Sequence, residues 1–587
     1  MKRNVSLPLK QYAGMLVVYL KPQWRRSLLM VVLLLTGVGL QLLNPQIIRY
    51  FIDTYVSGGQ SASLTYAALL FISIAVVNQI LSILATYISQ NVAWTATNRL
   101  RADLVAHCLR LDMAYHKAHT PGEFIERIDG DVNTLSNFFS QFVVHLLSNT
   151  VLLIGVLVLL FRVDWRVGLA VTAFALVALL ILIRIRSRAV PYWIADRQMS
   201  ANFFGFLGEQ LAGTEDIRAN GATGYVMRRF YLLLRNWLPV TRKATLAPYS
   251  MGMTTMTVFA IGNAIAFAIG AYLWSTGSIT IGTVYLIFYY TNLLDQPIEQ
   301  IRTQLQDLQK AGASIERVQQ LLHIEPAIAD GIGTPLPTDA LSVEFRNVSF
   351  SYTADNIVLH NLTFSLQPGK VLGVLGRTGS GKTTLARLLL RLYDFQQGQV
   401  RLGDVPIGKA SLRELRQKVG MVTQDVQLFH ATVRDNLTFF NRDIADQQIL
   451  AVLDDLELSA WYRSLPNGLD TELGSDGEGL SAGEAQLLAF TRVFLANPGL
   501  VILDEASSRL DPATEHLIER AVSKLLQGRT GIIIAHRLGT LSRADEILIL
   551  EDGHLLEHNS REILAGDSST RFYKLLQTSA GTQFITS

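Results

Sequence analysis

"GRTGSGKT", residues 376–383, fits the pattern G-x-x-x-x-G-K-[ST]. An apolar strand pattern, "KVLGVL", leads into it, and a helical one, "TTLARLLLRLY", follows. The motif needs that context. Its glycines let backbone N–H groups wrap a phosphate, and the helix N-terminus adds positive potential. Lys382 is expected to reach the outer phosphates and the Thr383 hydroxyl to hold Mg²⁺. The plainer reading, a glycine-rich turn, does not account for both flanks. About 120 residues downstream, "LVILDEASSRLD" (500–511) reads as a buried parallel strand ending in two carboxylates. Asp504 is expected to bind Mg²⁺, directly or through water, and Glu505 to polarise an attacking water. Together the two motifs predict an α/β phosphate-loop domain.

Outside that domain the chain changes character. Its 587 residues call for two or more domains, and 49% hydrophobic against 17% charged is greasy for a soluble chain of this length. A formal charge of +3 gives no sign of a nucleic-acid partner. Cys108 is the single cysteine, so neither an internal disulfide nor a CxxC metal site can form. It reads as a small apolar residue on a helix. Lys2, Arg3 and Lys10 lack the apolar run and cleavage site of a signal peptide, and none is expected.

The apolar residues gather in six runs, centred near 28–52, 66–89, 139–161, 167–186, 251–274 and 279–300. Each is close to the ~20 residues that cross a bilayer. "SGGQSAS" (57–63), "RVDW" (162–165) and "WSTGS" (274–278) are short connections, whereas those after the second and fourth runs are long and helical in pattern. Lys21, Arg25, Arg26, Arg99, Arg101, Arg184, Arg186 and Arg188 lie on the long-loop side, which puts those loops and both termini in the cytoplasm. Arg162 and Arg166, flanking Asp164, are the exceptions. The sixth helix pattern runs on through "IRTQLQDLQKAGASIERVQQLL", and "HIEPAIADGIGTPLPTDA" (323–340) reads as a linker. The expected divisions are a cytoplasmic segment 1–24, a transmembrane domain 25–312, a linker 313–342 and a nucleotide-binding domain 343–580.

In this order the motifs resemble those of an ATP-binding cassette exporter of the half-transporter kind, and the resemblance covers nearly the whole chain. It implies an all-α six-helix transmembrane domain joined to an α/β P-loop ATP-binding cassette domain, an ATPase coupled to transport, and ATP with Mg²⁺ as cofactors. Tyr352 in "VSFSY" matches the aromatic that stacks on adenine in this family. Gly376, Arg377, Thr378, Gly379, Ser380, Gly381, Lys382, Thr383 and Thr384 match its phosphate loop. Gln424 in "MVTQDVQLF" matches the glutamine that senses Mg²⁺, and His536 in "IIIAHRL" the switch histidine on the γ-phosphate. The resemblance thus implies Lys382, Glu505 and His536 as catalytic residues, and Thr383, Gln424 and Asp504 around the metal. "HTPGEFIERIDGDVNTL" (119–135) and "GEQLAGTEDIRANG" (208–221) resemble the two coupling segments, and "NPQIIRYFID" (44–53) the end of the first membrane helix.

"LSAGE" (480–484) stands where the family's signature loop usually reads Leu-Ser-Gly-Gly-Gln, so Ser481, Gly483 and Glu484 are expected at a partner's ATP. Asp511 in "SSRLD" matches the loop that crosses the dimer interface. Ala482 replaces a glycine and Glu484 a glutamine, while Ser475 and Asp476 stand where glutamate and arginine are usual. This chain's own nucleotide side is intact, and the side that serves a partner departs. Such one-sided change resembles heterodimeric exporters; a homodimer with a working variant loop is the alternative.

Two polar stripes recur at helical spacing: Tyr285, Tyr289, Asn292 and Gln296 in the sixth run, and Gln141, His145 and Asn149 in the third. They fit either a substrate path or hydrogen bonding between helices. The expected cargo is an amphipathic small molecule, a lipid or a peptide, carried across the cell membrane among its lipids. An ATP-gated channel or regulator and an importer on the exporter fold are the rival readings; the six spans exclude a soluble cassette ATPase.

Overall fold

The structure is a computed structural model that describes residues 14, 18–140, 146–353, 356–424, 426–474, 480–504, 512–535 and 538–583. It divides into two units, Met1–Leu109 with Pro121–Ile324, and Arg110–Thr120 with Glu325–Ser587.

The first unit is helical: α1 Trp24–Val56, α2 Ser61–Cys108, α4 Leu147–Val163, α5 Trp165–Ala212, α6 Thr223–Ser275, α7 Ile281–Leu293 and α8 Asp295–Leu322. The six-residue helix Met113–Ala118, α3, interrupts this series and belongs to the second unit. Four helices, α1 (extended back to Val18), α2, α5 and α6, are long and apolar enough to cross a membrane, and α4 is a shorter apolar helix. A 48-residue helix such as α2 spans about 72 Å, more than twice the hydrocarbon thickness of ~30 Å. The long helices therefore continue well beyond a bilayer, as the alternation of loop lengths predicts. On α2 the side chains of Leu69, Ile72, Val76, Ile80 and Ile83 are exposed, an apolar surface that suits lipid. The inner faces pack Val38, Leu152, Val156, Phe174, Phe259, Leu286 and Ile287 into one cluster. Phe174 meets Phe259 edge-on at 5.7 Å, over Gly262, where a Cβ would lie 2.3 Å from the Phe174 ring.

The sixth predicted helix does not run on unbroken. It stops at Leu293 and resumes at Asp295. Pro297 explains the break, because it has no N–H for the Leu293 carbonyl and its ring crowds that position. Below it, Asp131 is only 2% exposed and sits in a short π-helical turn, Glu126–Asp131. Arg317 grips its carboxylate with Nε (2.8 Å) and Nη2, and the Ser314 hydroxyl donates at 2.8 Å. A buried carboxylate needs such partners.

The second unit contains two main sheets. Antiparallel strands β1 Val343–Thr353, β2 Asn356–Leu366, β4 Gln397–Leu402 and β5 Val405–Pro406 lie in the order β2-β1-β4-β5. The larger sheet contains β3 Val371–Gly376, β6 Val419–Val422, β9 Leu500–Asp504, β10 Thr530–Ile534, β11 Glu546–Glu551 and β12 His554–Ser560, ordered β12-β11-β3-β10-β9-β6. Two-residue strands β7 Ala431–Thr432 and β8 Glu472–Leu473 form a separate pair. All residues of β9 and β10 are buried, as continuous apolar runs in a parallel sheet require. Helices α9 Lys382–Leu389, α10 Leu412–Lys418 and α11 Ala482–Ala496 carry the motifs onward.

The linker is tied down. Ala327 and Ile328 donate their amides to Asp112, just before α3, and Asp330 accepts from the Leu412 amide at 2.7 Å. Leu336 donates to Glu414 at 2.8 Å. Proline and glycine here shape a strap along the cassette.

Candidate functional site

Parallel pairing puts Val374, Ile534 and Asp504 in one row across β3, β10 and β9. Two strand spacings, about 10 Å, therefore separate the phosphate-loop strand from the strand that ends in Asp504. Val422 of β6 pairs with Leu503, so Gln424 follows at the same edge of the sheet and is exposed. The carboxyl ends of parallel strands are where such sheets bind ligands.

The loop itself is shaped for close approach. Gly379 (φ 89°) and Gly381 (φ 99°) hold left-handed backbone, and a Cβ on Gly381 would lie 2.5 Å from Leu359. Arg377, Thr378 and Gly379 are exposed at its tip. Lys382, 5% exposed, donates Nζ to the carbonyls of Gly376 (2.7 Å) and Arg377 (3.0 Å), so its ammonium lies inside the loop. Among the described residues the buried Ser380 hydroxyl has no hydrogen-bond partner. An orphaned hydroxyl and a loop-bound ammonium suit an incoming phosphate. Thr383 opens α9 half-buried, and Asp504 is 7% exposed. A hydroxyl and a carboxylate are hard oxygen donors, the chemistry that fits Mg²⁺ shared with phosphate oxygens.

Tyr352 is half-buried between Phe350 (4.9 Å) and Tyr393 (5.0 Å), both edge-on. Its hydroxyl meets Thr384 Oγ1 at 3.0 Å and accepts from Arg387 Nη1 at 3.0 Å. Burial raises the Tyr393 phenol above its usual range. The Lys117 ammonium of α3 lies 4.9 Å from the Tyr352 ring centre, within cation–π range.

At the signature loop, Ser481 is exposed, Gly483 buried and Glu484 half-buried. Ser481 Oγ accepts from the Glu484 amide at 3.2 Å, and Glu484 Oε2 accepts from the Ser481 amide at 2.7 Å. This capping box starts α11 and turns the carboxylate back onto its own helix.

In the membrane unit, Tyr285 and Tyr289 are half-buried with ring centres 6.1 Å apart, while Asn292 and Gln296 are exposed. Asn263 Nδ2 of α6 donates to Asn292 Oδ1 at 2.8 Å. Asn149 is buried. Gln141, His145, Ser475, Asp476, Glu505, Asp511 and His536 lie outside the described residues.

Residues 27–298 match the family described as ABC transporter transmembrane region, and residues 359–508 match the family described as ABC transporter. A fatty acid ABC transporter ATP-binding/permease protein of Mycobacterium tuberculosis is 31% identical over 80% of this chain and 74% of its own. The chain belongs to the ABC transporter family. A second relative of this ABC transporter, the ATP-dependent lipid A-core flippase of Alcanivorax borkumensis, is 28% identical over 95% of this chain and 96% of its own. The solved structure of a bacterial Atm1-family ABC exporter with ATP bound superposes with a TM-score of 0.80, at 25% identity, over 95% of this chain and 98% of that one. This ABC transporter is thus a half-transporter of the exporter type, a membrane-embedded chain with a cytoplasmic ATPase domain coupled to transport. ABC exporters function as dimers of such halves.

Sequence reasoning missed Arg492 in this ABC transporter. From α11 it donates Nε to the Asn436 carbonyl (2.7 Å), Nη2 to Asn436 Oδ1 (3.1 Å) and Nη1 to the Gln427 carbonyl (2.9 Å). It thereby ties the signature helix to Gln427, in the loop that follows Gln424, and to Asn436, in the short helix Val433–Thr438. Burial pushes its pKa down to about 10, still charged at neutral pH. The available signal was the single basic residue in a mostly apolar helix, "AGEAQLLAFTRVFLA". Nothing in "YHKAH" marked Lys117.

Proposed function

We propose that this chain is the hydrolysing half of a heterodimeric, ATP-driven exporter of an amphipathic small molecule, lipid or peptide. Tyr352 stacks on adenine, and the amides of residues 376–384 with Lys382 hold the phosphates. Thr383, Asp504 and Gln424 would hold Mg²⁺, which supplies charge neutralisation at the outer phosphates. Glu505 polarises the attacking water and His536 contacts the γ-phosphate. Ser481, Gly483 and Glu484 serve the partner's ATP, and Asp511 lies at the shared interface. ATP closes the paired cassettes, hydrolysis releases them, and the membrane helices alternate between inward and outward access. Both termini are cytoplasmic.

The observation that supports this most is the row Val374–Ile534–Asp504, which aligns the phosphate-loop strand with the carboxylate strand. Heterodimer formation is supported by the contrast between that intact side and the Ala482 and Glu484 variants. A carboxylate in the first turn of α11 offsets the positive helix end that would otherwise face a partner's triphosphate. The test is Glu505→Gln in the assembled transporter. The amide keeps the shape but cannot draw a proton from water, so turnover is expected to disappear while ATP binding persists. Hydrolysis near the wild-type rate would remove Glu505 from the base role.

A further inference from the structure

We propose that Lys117 covers the face of Tyr352 that a nucleotide base must take, so that the base binds only by displacing it. The proposal rests on the reading of Tyr352 as the residue that stacks on adenine, and it adds a residue that sets how tightly the base is held. Both residues belong to the same unit. The Lys117 ammonium stands 4.9 Å from the centre of the Tyr352 ring, inside the ~6 Å reach of a cation–π contact. Among the described residues that ammonium forms no hydrogen bond and no ion pair, so the ring is what holds it.

Of the two partners, the ring is fixed and the lysine is not. The Tyr352 hydroxyl meets Thr384 and accepts from Arg387, both at 3.0 Å, and Phe350 and Tyr393 wall the ring edge-on. Tyr352 is half-buried against the hydrophobic core that contains Phe350, whereas Lys117 is exposed on α3. The ammonium therefore reaches the ring from the solvent side, the side from which a nucleotide arrives. The helix α3 itself is held close, because Asp112, the residue before it, accepts from the amides of Ala327 and Ile328. What gives way is the flexible four-carbon stem of the lysine. A base stacked on an aromatic ring is the stronger contact, and an exposed cation–π pair the weaker. Adenine thus takes the face, but binds less tightly than it would to a bare ring. A phosphate chain without a base meets no such competitor.

The assembled transporter in nanodiscs tests this, with Mg²⁺ removed by EDTA so that ATP binds without turnover, and with inorganic tripolyphosphate as a ligand that lacks a base. Lys117→Ala should tighten ATP binding about two- to fivefold, the weight of an exposed cation–π contact, and leave tripolyphosphate binding unchanged. Lys117→Arg, whose guanidinium stacks on aromatic faces, should bind ATP like the wild type. Tyr352→Leu should weaken ATP binding about tenfold, and adding Lys117→Ala to it should then change nothing. Equal or weaker ATP binding by Lys117→Ala would overturn the proposal. So would a tripolyphosphate affinity that changes by the same factor, because the lysine would then act through its charge at a distance. If Tyr352→Leu binds ATP as the wild type does, the stacking reading fails as well. If Tyr352→Leu binds poorly and Lys117→Ala is unchanged, the proposal alone fails.

Discussion

At Glu484 a glutamine could cap the same helix, because either side chain offers an oxygen to the Ser481 amide. What differs is the charge left at the end of α11. Glu484→Gln should therefore leave thermal stability within about 0.5 kcal/mol of the wild type, since the cap survives. If the carboxylate is what holds back the partner's site, that variant should raise ATP hydrolysis by the assembled transporter. Glu484→Ala removes half of the capping box and should cost about 1 kcal/mol. Thermal unfolding and steady-state ATPase of the purified assembly read both effects. An unchanged rate in Glu484→Gln would acquit the charge.

Between elements, Arg492 is the joint to test. Three hydrogen bonds anchor α11 to Gln427, in the loop after Gln424, and to Asn436, in the helix Val433–Thr438, and its guanidinium also lies 4.6 Å from the Phe439 ring centre. Arg492→Ala would leave the Asn436 and Gln427 carbonyls without these donors. The expected loss is about 2 kcal/mol or more, visible as a lower unfolding temperature of the full-length chain. Arg492→Lys restores charge without the planar fork and should recover only part of it. A variant as stable as the wild type would mean the joint carries little load. In the membrane unit, the Asp131–Arg317–Ser314 contact plays a comparable part, joining the π-helical turn to α8.

For the whole molecule, a cassette cannot complete its site alone when the signature loop comes from another subunit. Native mass spectrometry of this chain, purified with and without the product of the neighbouring gene, should find a one-to-one complex in the first case. Expressed alone, the chain should hydrolyse ATP poorly. A stable homodimer with brisk, substrate-stimulated hydrolysis would replace the heterodimer by a symmetric transporter whose variant signature loop works normally.

The sequence by itself determined the fold class and family, because both depend on local patterns. A strand, a glycine-rich turn and a helix are contiguous at 371–389, and membrane crossing depends on unbroken apolar length. Its phosphate-loop residues and Asp504 stood out as candidates for the same reason. Tertiary structure alone decided how distant stretches meet. Val374 and Asp504, 130 positions apart, share a row through parallel pairing to Ile534. Arg492 found its acceptors 56 and 65 residues away. The supposed linker became a strap because Asp112 and Glu414 supply carboxylates to its amides. Periodicity cannot announce such contacts, since each depends on which backbone group, far along the chain, is left needing a partner.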